Sequence, residues 1–460
     1  MGEELILLLN PPGKKLYIRD YYCSFSSKAD YYWPPQDLIG LSGIISQEYS
    51  IQVKDAIINK ISERECLESI LNGNHKAIIF TTGTATIKTD LALAEKIKRE
   101  KRKTKIIASA GIMKFIGRQL LKDYDFIDCV LVDYAEKEIL SYLADDGAIP
   151  LKGLIYRKGN QLVEYPEKLS PEFEIPVPKH ELFDFKKYRI PIAKNFPFTV
   201  VVTSLGCPYH CAFCTAGAYG YRVRKVDNVI EELKYLGELG IREILFQDPT
   251  LTINTKRVVE LCQKMIHNNL HFTWSCNADI KSLNEEKIYW MKKAGCHTIS
   301  IGIESGDDSI LQKYSKMIST DQIKQAVDLL NKYKIKVLGY FIIGLPGENK
   351  ESILRTINLA KSLKIDIASF AIATPDVGTP LRKEAIEKGW ISPGLDDFDS
   401  TEFPIIETGD LSKEEIWHLK KKAVREFYLR PSYLIRKLFQ IRSLRDIKII
   451  ASNALSLFSK

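Results

Sequence analysis

The sequence predicts an α/β protein: a doubly wound, Rossmann-like N-terminal domain, then a partial (β/α)6 barrel of TIM type, then a C-terminal helical segment. Three observations carry this. Short apolar runs of strand length alternate with helices of period near 3.6, the pattern of parallel sheets flanked by helices. A proline-rich stretch interrupts that alternation once. The second series holds six βα units, short of the eight that close a barrel. The 460 residues suggest two or three domains, and 45% hydrophobic content is ample for buried cores.

In the first third, strands are expected at Leu5–Leu9, Ile51–Val53, Ala77–Thr81, Lys105–Ala108 and Phe126–Val132, with a helix over Lys88–Arg99. Residues 146–197 carry prolines at 150, 166, 171, 176, 178 and 191 and read as a linker. Strands are then expected at 198–204, 243–247, 272–276, 297–303, 336–343 and 366–373. Helices fall between them at 226–239, 255–269, 284–294, 320–333 and 350–363. Ser319 with Gln322, and Ser412 with Glu415, have capping-box spacing. The expected division is 1–145, Rossmann-like; 146–197, linker; 198–390, partial barrel; and 391–460, helical and basic.

The formal charge is +8. Ten Lys/Arg against two acids between Lys420 and Lys448 account for all of it, so the remainder is balanced and no nucleic-acid footprint is expected. Within that stretch Tyr428, Tyr433, Leu434, Leu438, Phe439 and Ile441 interleave with Arg430, Arg436, Lys437, Arg442 and Arg445. A helix lying on an anionic membrane surface, or one packed on the barrel with a basic outer face, would both read this way. No run is long enough to span a bilayer, and the N-terminus lacks the basic region of a secretory signal. Nine cysteines, an odd number and mostly scattered, suit a reducing compartment with one local thiol site. A cytoplasmic protein, with possible membrane association, is expected.

That thiol site is S-L-G-C-P-Y-H-C-A-F-C-T-A-G, with Cys207, Cys211 and Cys214 in one loop after the first strand of the second series. Sites in parallel α/β folds form at the carboxyl ends of strands. Gly206 and Pro208 let the backbone turn tightly there. Three thiolates can hold a [4Fe–4S] cluster with one iron open to a ligand. The alternative is zinc, with His210 or a distant cysteine as fourth ligand. Cys262, Cys276 and Cys296 lie in or beside apolar segments and read as small core residues.

C-P-Y-H-C-A-F-C resembles the C-x3-C-x-aromatic-C loop of radical S-adenosylmethionine (SAM) enzymes. W-S-C-N from Trp274, A-G-C-H from Ala294, G-I-E-S-G from Gly302, Y-F-I-I-G-L-P-G-E from Tyr340 and T-P-D-V-G-T-P-L from Thr374 resemble that family in order. The arrangement is similar to the subgroup with an N-terminal cobalamin-binding-type domain. The resemblance implies a cluster on Cys207, Cys211 and Cys214 whose open iron binds SAM and cleaves it to a 5′-deoxyadenosyl radical. It implies Phe213 beside the adenine, Glu304 near the ribose or amino group, Asp248 in the same pocket, and Gly344 and Gly347 giving backbone approach to the adenine. It also implies a small-molecule or lipid substrate, a reducing donor such as flavodoxin or ferredoxin, and cobalamin-dependent methylation of an unactivated carbon. Cobalamin-independent C–H functionalisation, cyclisation or C–C coupling is the alternative; a non-catalytic electron-relay protein is the alternative of another class.

Two departures stand out. Relatives often carry Arg after W-S-C-N-A; Asp279 stands there instead, so Arg222 or Arg224 is the expected substitute cation. The cobalamin landmarks are altered to P-P-Q-D-L-I-G-L, A-S-A-G-I-M and D-Y-A-E, with T-T-G-T-A-T from Thr81 as a polar cradle or a helix N-cap. D-x-H-x-x-G is missing and His75 is the one histidine before residue 150, so any cobalamin is expected without a histidine ligand.

Overall fold

The computed structural model describes residues 4–27, 31–145, 150–165, 170–394, 398–399, 401–407 and 410–438. Two large sheets dominate it. The first has seven strands, in the order Ser50–Asp55, Leu5–Asn10, His75–Thr81, Lys105–Ser109, Cys129–Leu131, Leu154–Lys158 and Gln161–Glu164. Its first five strands are parallel. Ile6 to Leu9, Ala77 to Phe80 and Ile106 to Ala108 are almost wholly buried, as a sheet covered by helices on both faces requires.

The last two strands form a hairpin that joins the sheet antiparallel. Part of the stretch read as a linker therefore completes the first sheet. Its prolines lie outside Leu154–Lys158 and Gln161–Glu164, which the punctuation of the surrounding chain disguised. The strand expected at Phe126–Val132 shortens to Cys129–Leu131, because Ile127 closes a turn onto Tyr124.

The second sheet runs in chain order: Phe198–Val201, Glu243–Phe246, Thr273–Ala278, Cys296–Glu304, Lys336–Ile343 and Ile367–Ile372. Every pairing is parallel, and the six-stranded partial barrel stays open between its first and last strands. Helices Val226–Glu238, Thr255–His267, Glu285–Lys293, Thr320–Lys332 and Lys350–Ser362 link these strands. Both expected capping boxes form, at Ser319 with Gln322 and at Ser412 with Glu415. Cys262, Cys276 and Cys296 are buried in the apolar core.

The helix Lys413–Tyr428 packs on the last strand. The Tyr428 hydroxyl donates to the Ala368 carbonyl (2.8 Å), Arg430 lies 3.9 Å over the Phe427 ring, and Arg436 donates to the Ile365 carbonyl (2.6 Å). Among the described residues, half of the aromatic–basic pattern considered for a membrane surface is thus spent on the barrel, while Leu434 and Ile435 are exposed. Phe439, Ile441, Arg442 and Arg445 lie outside the described residues. Among the described residues no helix is long and apolar enough to cross a membrane.

A short hairpin, Tyr17–Arg19 with Ser24–Ser26, leaves the first strand and lodges between the two sheets. Arg19 anchors it: its guanidinium is fully buried, paired with Asp90 (2.7 Å) and donating to Asn10 and to the Pro11 carbonyl. One apolar cluster runs from Leu8 and Ile79 through Tyr21 and Tyr219 to Phe198 and Leu245, joining the first sheet to the start of the barrel.

Candidate active site at the barrel mouth

The cysteine loop is shaped by backbone constraints from several directions. Gly206 has φ +69°, and a Cβ there would lie 1.8 Å from the Gly220 carbonyl oxygen, so no other residue fits. The Cys207 amide donates to Ala216 (3.1 Å), Ala212 donates to Tyr314 (2.9 Å), and Leu381 donates to Ala212 (3.0 Å). From the interposed hairpin, the Tyr22 hydroxyl accepts from the Gly206 amide (2.7 Å), and Thr215 donates to the Tyr22 carbonyl (3.0 Å).

Burial pushes the thiols of Cys207, Cys211 and Cys214 up to about 11, and each is raised further by another thiol of the triad. Cys207 and Cys211 are partly exposed, and Cys214, Cys23 and Tyr340, the last at 42%, are exposed to solvent. His210 is exposed.

Glu304 is buried at the end of its strand, with φ +63° at a register shift in its strand pairing. A non-glycine residue held there is costly and persists where its surroundings fix it. What fixes it is Lys316, whose ammonium lies 3.4 Å from the Glu304 carboxylate and 3.9 Å from that of Asp279. Gly302 makes room for this pair: a Cβ there would meet Glu304 Oε1 at 2.1 Å and Lys316 Nζ at 2.9 Å. Burial raises the Glu304 carboxyl above its usual range, and Lys316 opposes the rise. Burial alone would lower the Lys316 ammonium, but Glu304, Cys211, Asp279 and Cys214 together hold it above its ordinary value. Sequence reasoning missed Lys316, which sits among ordinary surface lysines in L-Q-K-Y-S-K-M. The two arginines expected to stand in for the one that Asp279 replaces are both paired with carboxylates of the protein. Arg222 pairs with Asp133 (2.8 Å) and Glu136 (2.9 Å) of the N-terminal domain, and Arg224 pairs with Glu232.

The remaining expected residues divide. Phe213 is half-buried beside Tyr314, ring centroids 6.3 Å apart. Gly344 and Gly347 take φ +86° and +92°, as their turn demands, and the Glu348 carboxylate accepts from the Gly344 and Leu345 amides. A Cβ on Gly344 would meet Ile416 of the C-terminal helix at 2.7 Å. Asp248 is fully buried. It accepts from the Thr203 amide (2.6 Å), the Thr203 hydroxyl (2.6 Å) and the Ser204 hydroxyl (2.7 Å), so its carboxylate is spent bracing the strand end that launches the loop.

This geometry meets three comparisons. Residues 201–360 match the model of the radical SAM superfamily. An uncharacterized methyltransferase of Pyrococcus horikoshii is 31% identical over 88% of this chain and 90% of its own length. The chain belongs to the radical SAM superfamily. This radical SAM enzyme is also 25% identical, over 90% of its length and 70% of the relative's, to the anaerobic magnesium-protoporphyrin IX monomethyl ester cyclase of Cereibacter sphaeroides. Two solved structures share its fold from end to end. The radical SAM methyltransferase TsrM of Kitasatospora setae, with cobalamin and a [4Fe–4S] cluster bound, superposes with a TM-score of 0.67 at 16% identity, over 94% of this chain and 92% of that one. The cobalamin-dependent SAM radical enzyme OxsB gives 0.70 at 14% identity, over 99% and 72%.

Proposed function

We propose that this radical SAM enzyme is a methyltransferase acting on an unactivated carbon of a small-molecule or lipid substrate. It would use a [4Fe–4S] cluster, SAM and cobalamin, with electrons from a flavodoxin- or ferredoxin-type donor. The observation that carries the reading is the mouth of the barrel, where the loop of Cys207, Cys211 and Cys214 is tied through Ala212 and Phe213 to Tyr314, two residues before the buried Lys316 that pairs with Glu304. When bound, the cluster supplies the electron that cleaves SAM, and cobalamin supplies a methyl group. Cys207, Cys211 and Cys214 hold the cluster as thiolates. Three cysteine donors leave the fourth iron of a cubane open to a ligand. Phe213 offers an apolar face beside the loop for the adenine, and Glu304 a carboxylate for the ribose hydroxyls or the ammonium of SAM.

The place for cobalamin is the crevice between the sheets. It is lined by Thr82–Thr84, Ala110 and Ile112 from the first sheet's carboxyl ends, and by Thr215, Tyr219 and Asp376 from the barrel. Its polar strand-end loops suit corrin amides, and His75, at the opposite end of its strand, offers no ligand. The 17–26 hairpin packs on this lining: a Cβ on Gly83 would meet Ser24 at 2.5 Å, and one on Gly111 would meet the Tyr21 carbonyl at 2.2 Å. Thr82 and Thr86 are committed to Asp90. Corrin binding would therefore go with a shift of the hairpin. The second reading is hydrogen abstraction and C–H functionalisation without cobalamin. Anaerobic incubation of the reconstituted protein with SAM and dithionite tests the shared part: 5′-deoxyadenosine must form, and its absence would return the chain to an electron-relay role. Methyl transfer from labelled SAM to product separates the two readings.

A further inference from the structure

Three aliphatic side chains stand in water within seven positions of the chain: Leu429 is 51% exposed, Leu434 45% and Ile435 54%. The other large hydrophobic residues exposed among the described ones are scattered singly along the chain, which a folded surface tolerates. The helix Pro431–Leu438 is inverted for one that packs on a protein. Its inward positions are Tyr433, buried against the Phe427 and Tyr428 rings (5.5 and 5.2 Å), and Arg436, which donates to the Ile365 carbonyl (2.6 Å). Leu434 and Ile435 fall between these two in sequence and hence on the opposite side of the helix. The preceding helix continues that outer face. Lys421, Arg425 and Leu429 follow at i, i+4 and i+8, and all three are exposed.

The charge of the face is one-sided. Lys420 to Lys448 carries ten Lys/Arg against two acids, and one of those acids, Glu426, is already paired with Lys361 (2.7 Å). Its place in the fold is equally defined. Arg430 donates to the Ala360 carbonyl (3.4 Å) and Arg436 to that of Ile365, both in the chain that leads into the last strand, Ile367–Ile372. The face therefore lies at the amino ends of the barrel strands, the pole opposite the cysteine loop.

We infer that this face docks on an anionic lipid bilayer: Leu429, Leu434 and Ile435 enter the boundary between headgroups and acyl chains, and Lys421, Arg425 and the basic residues beside them meet the lipid phosphates. Apolar insertion and attraction to anionic lipid add at such a surface. A second copy of the chain, meeting this one about a two-fold axis, would bring like charges together. The inference goes beyond the proposed function and does not rest on it, since neither cofactor nor substrate takes part. It turns the barrel mouth away from the bilayer, so the contact anchors the enzyme without opening its site to the membrane.

Full-length wild-type protein, Leu434→Gln with Ile435→Gln, Leu429→Gln, and Arg425→Gln are each floated with two kinds of vesicle. One is phosphatidylglycerol mixed with phosphatidylcholine, the other phosphatidylcholine alone. Wild type should bind the anionic vesicles at least about tenfold more tightly than the neutral ones. On anionic vesicles the double variant should lose at least about tenfold, and the two single variants about threefold each. All are exposed positions, so the variants should melt as wild type does; if the double variant melts early, the single variants decide. Wild type that floats with neither vesicle overturns the inference, as does equal binding to both. Binding that the apolar variants leave unchanged overturns it too, because the contact then lies elsewhere on the chain. A wild-type oligomer, seen by sedimentation velocity and dissolved in the double variant without any flotation, assigns the face to a second copy and overturns it as well. Formation of 5′-deoxyadenosine does not enter this test, so either proposal can fail alone.

Discussion

At the carboxyl edge of the first sheet, the turns at Gly83 and Gly111 are packed by Ser24 and Tyr21 of the chain's own hairpin. At the carboxyl edge of the second, Cys214 and Tyr340 stay exposed. Both edges belong to parallel α/β architecture, whose strand ends are where ligands settle. The difference lies in what the chain itself spends there. Tyr21 donates to the Val132 carbonyl and stacks edge-on against Tyr134, and the Gly111 amide donates to the Tyr21 carbonyl, so the first edge is satisfied internally. At the second edge Lys316 pairs with Glu304 and Asp279, and the three thiols of the loop are left at least partly exposed. A strand edge announces a site only where its polar groups have not been answered by the protein.

The largest effect expected is at the open edge. Replacing Cys207, Cys211 and Cys214 together by Ala should abolish the brown absorption of the reconstituted protein, bring iron and sulfide to background, and stop 5′-deoxyadenosine formation. Full iron retention in that variant would show that the second edge is not the metal site.

Next comes the junction between the two edges. Arg222 is buried against Asp133 and Glu136, so Arg222→Met leaves two carboxylates without their cation. A loss of about 3–5 kcal/mol is expected for removing one partner of a buried pair. Chemical denaturation measures it, and a loss below about 1 kcal/mol would mean that the two halves are not clamped there.

At the closed edge, Tyr21→Ala removes the hydroxyl that donates to the Val132 carbonyl and the ring packed edge-on against Tyr134, the side-chain anchors of the hairpin. The variant should retain at least about threefold more hydroxocobalamin than wild type after desalting, the rough equivalent of 0.6 kcal/mol. Equal retention would show that the hairpin does not govern access. The smallest effect is at the crevice wall, where burial raises the Asp376 carboxyl to about 7 from a usual 3.8. For a carboxyl raised in this way the unfolded chain gives up its proton first, so stability falls as pH rises from about 4 to about 7. Asp376→Asn should flatten that fall, measured as melting temperature across the same range; identical slopes would refute the assignment.

Much of this was legible in the sequence. Strand and helix periods located both sheets, and the spacing of three cysteines after a strand located the loop, because chemistry with fixed spacing survives as a pattern. Lys316 was not legible. Its pairing with Glu304 depends on the glycine at 302 and the register shift beside it, which no local period records. The tyrosine hairpin was hidden for a related reason. R-D-Y-Y-C-S-F-S lacks the apolar alternation of a core strand, although two adjacent tyrosines in a short polar run hint at packing between surfaces. Asp248 shows the converse: its place at a strand end was legible, its hydrogen bonds to Thr203 and Ser204 were not.

The hydrogen bond from the Gly206 amide to the Tyr22 hydroxyl joins groups 184 residues apart in sequence. On a ribosome, Tyr22 emerges long before the loop it braces, yet it reaches its final seat only after the barrel strands that flank it have been made. Loading of the proposed cluster is then expected late, after both halves are complete. A fragment starting near residue 198 could build its barrel and still offer iron a loop without one of its struts.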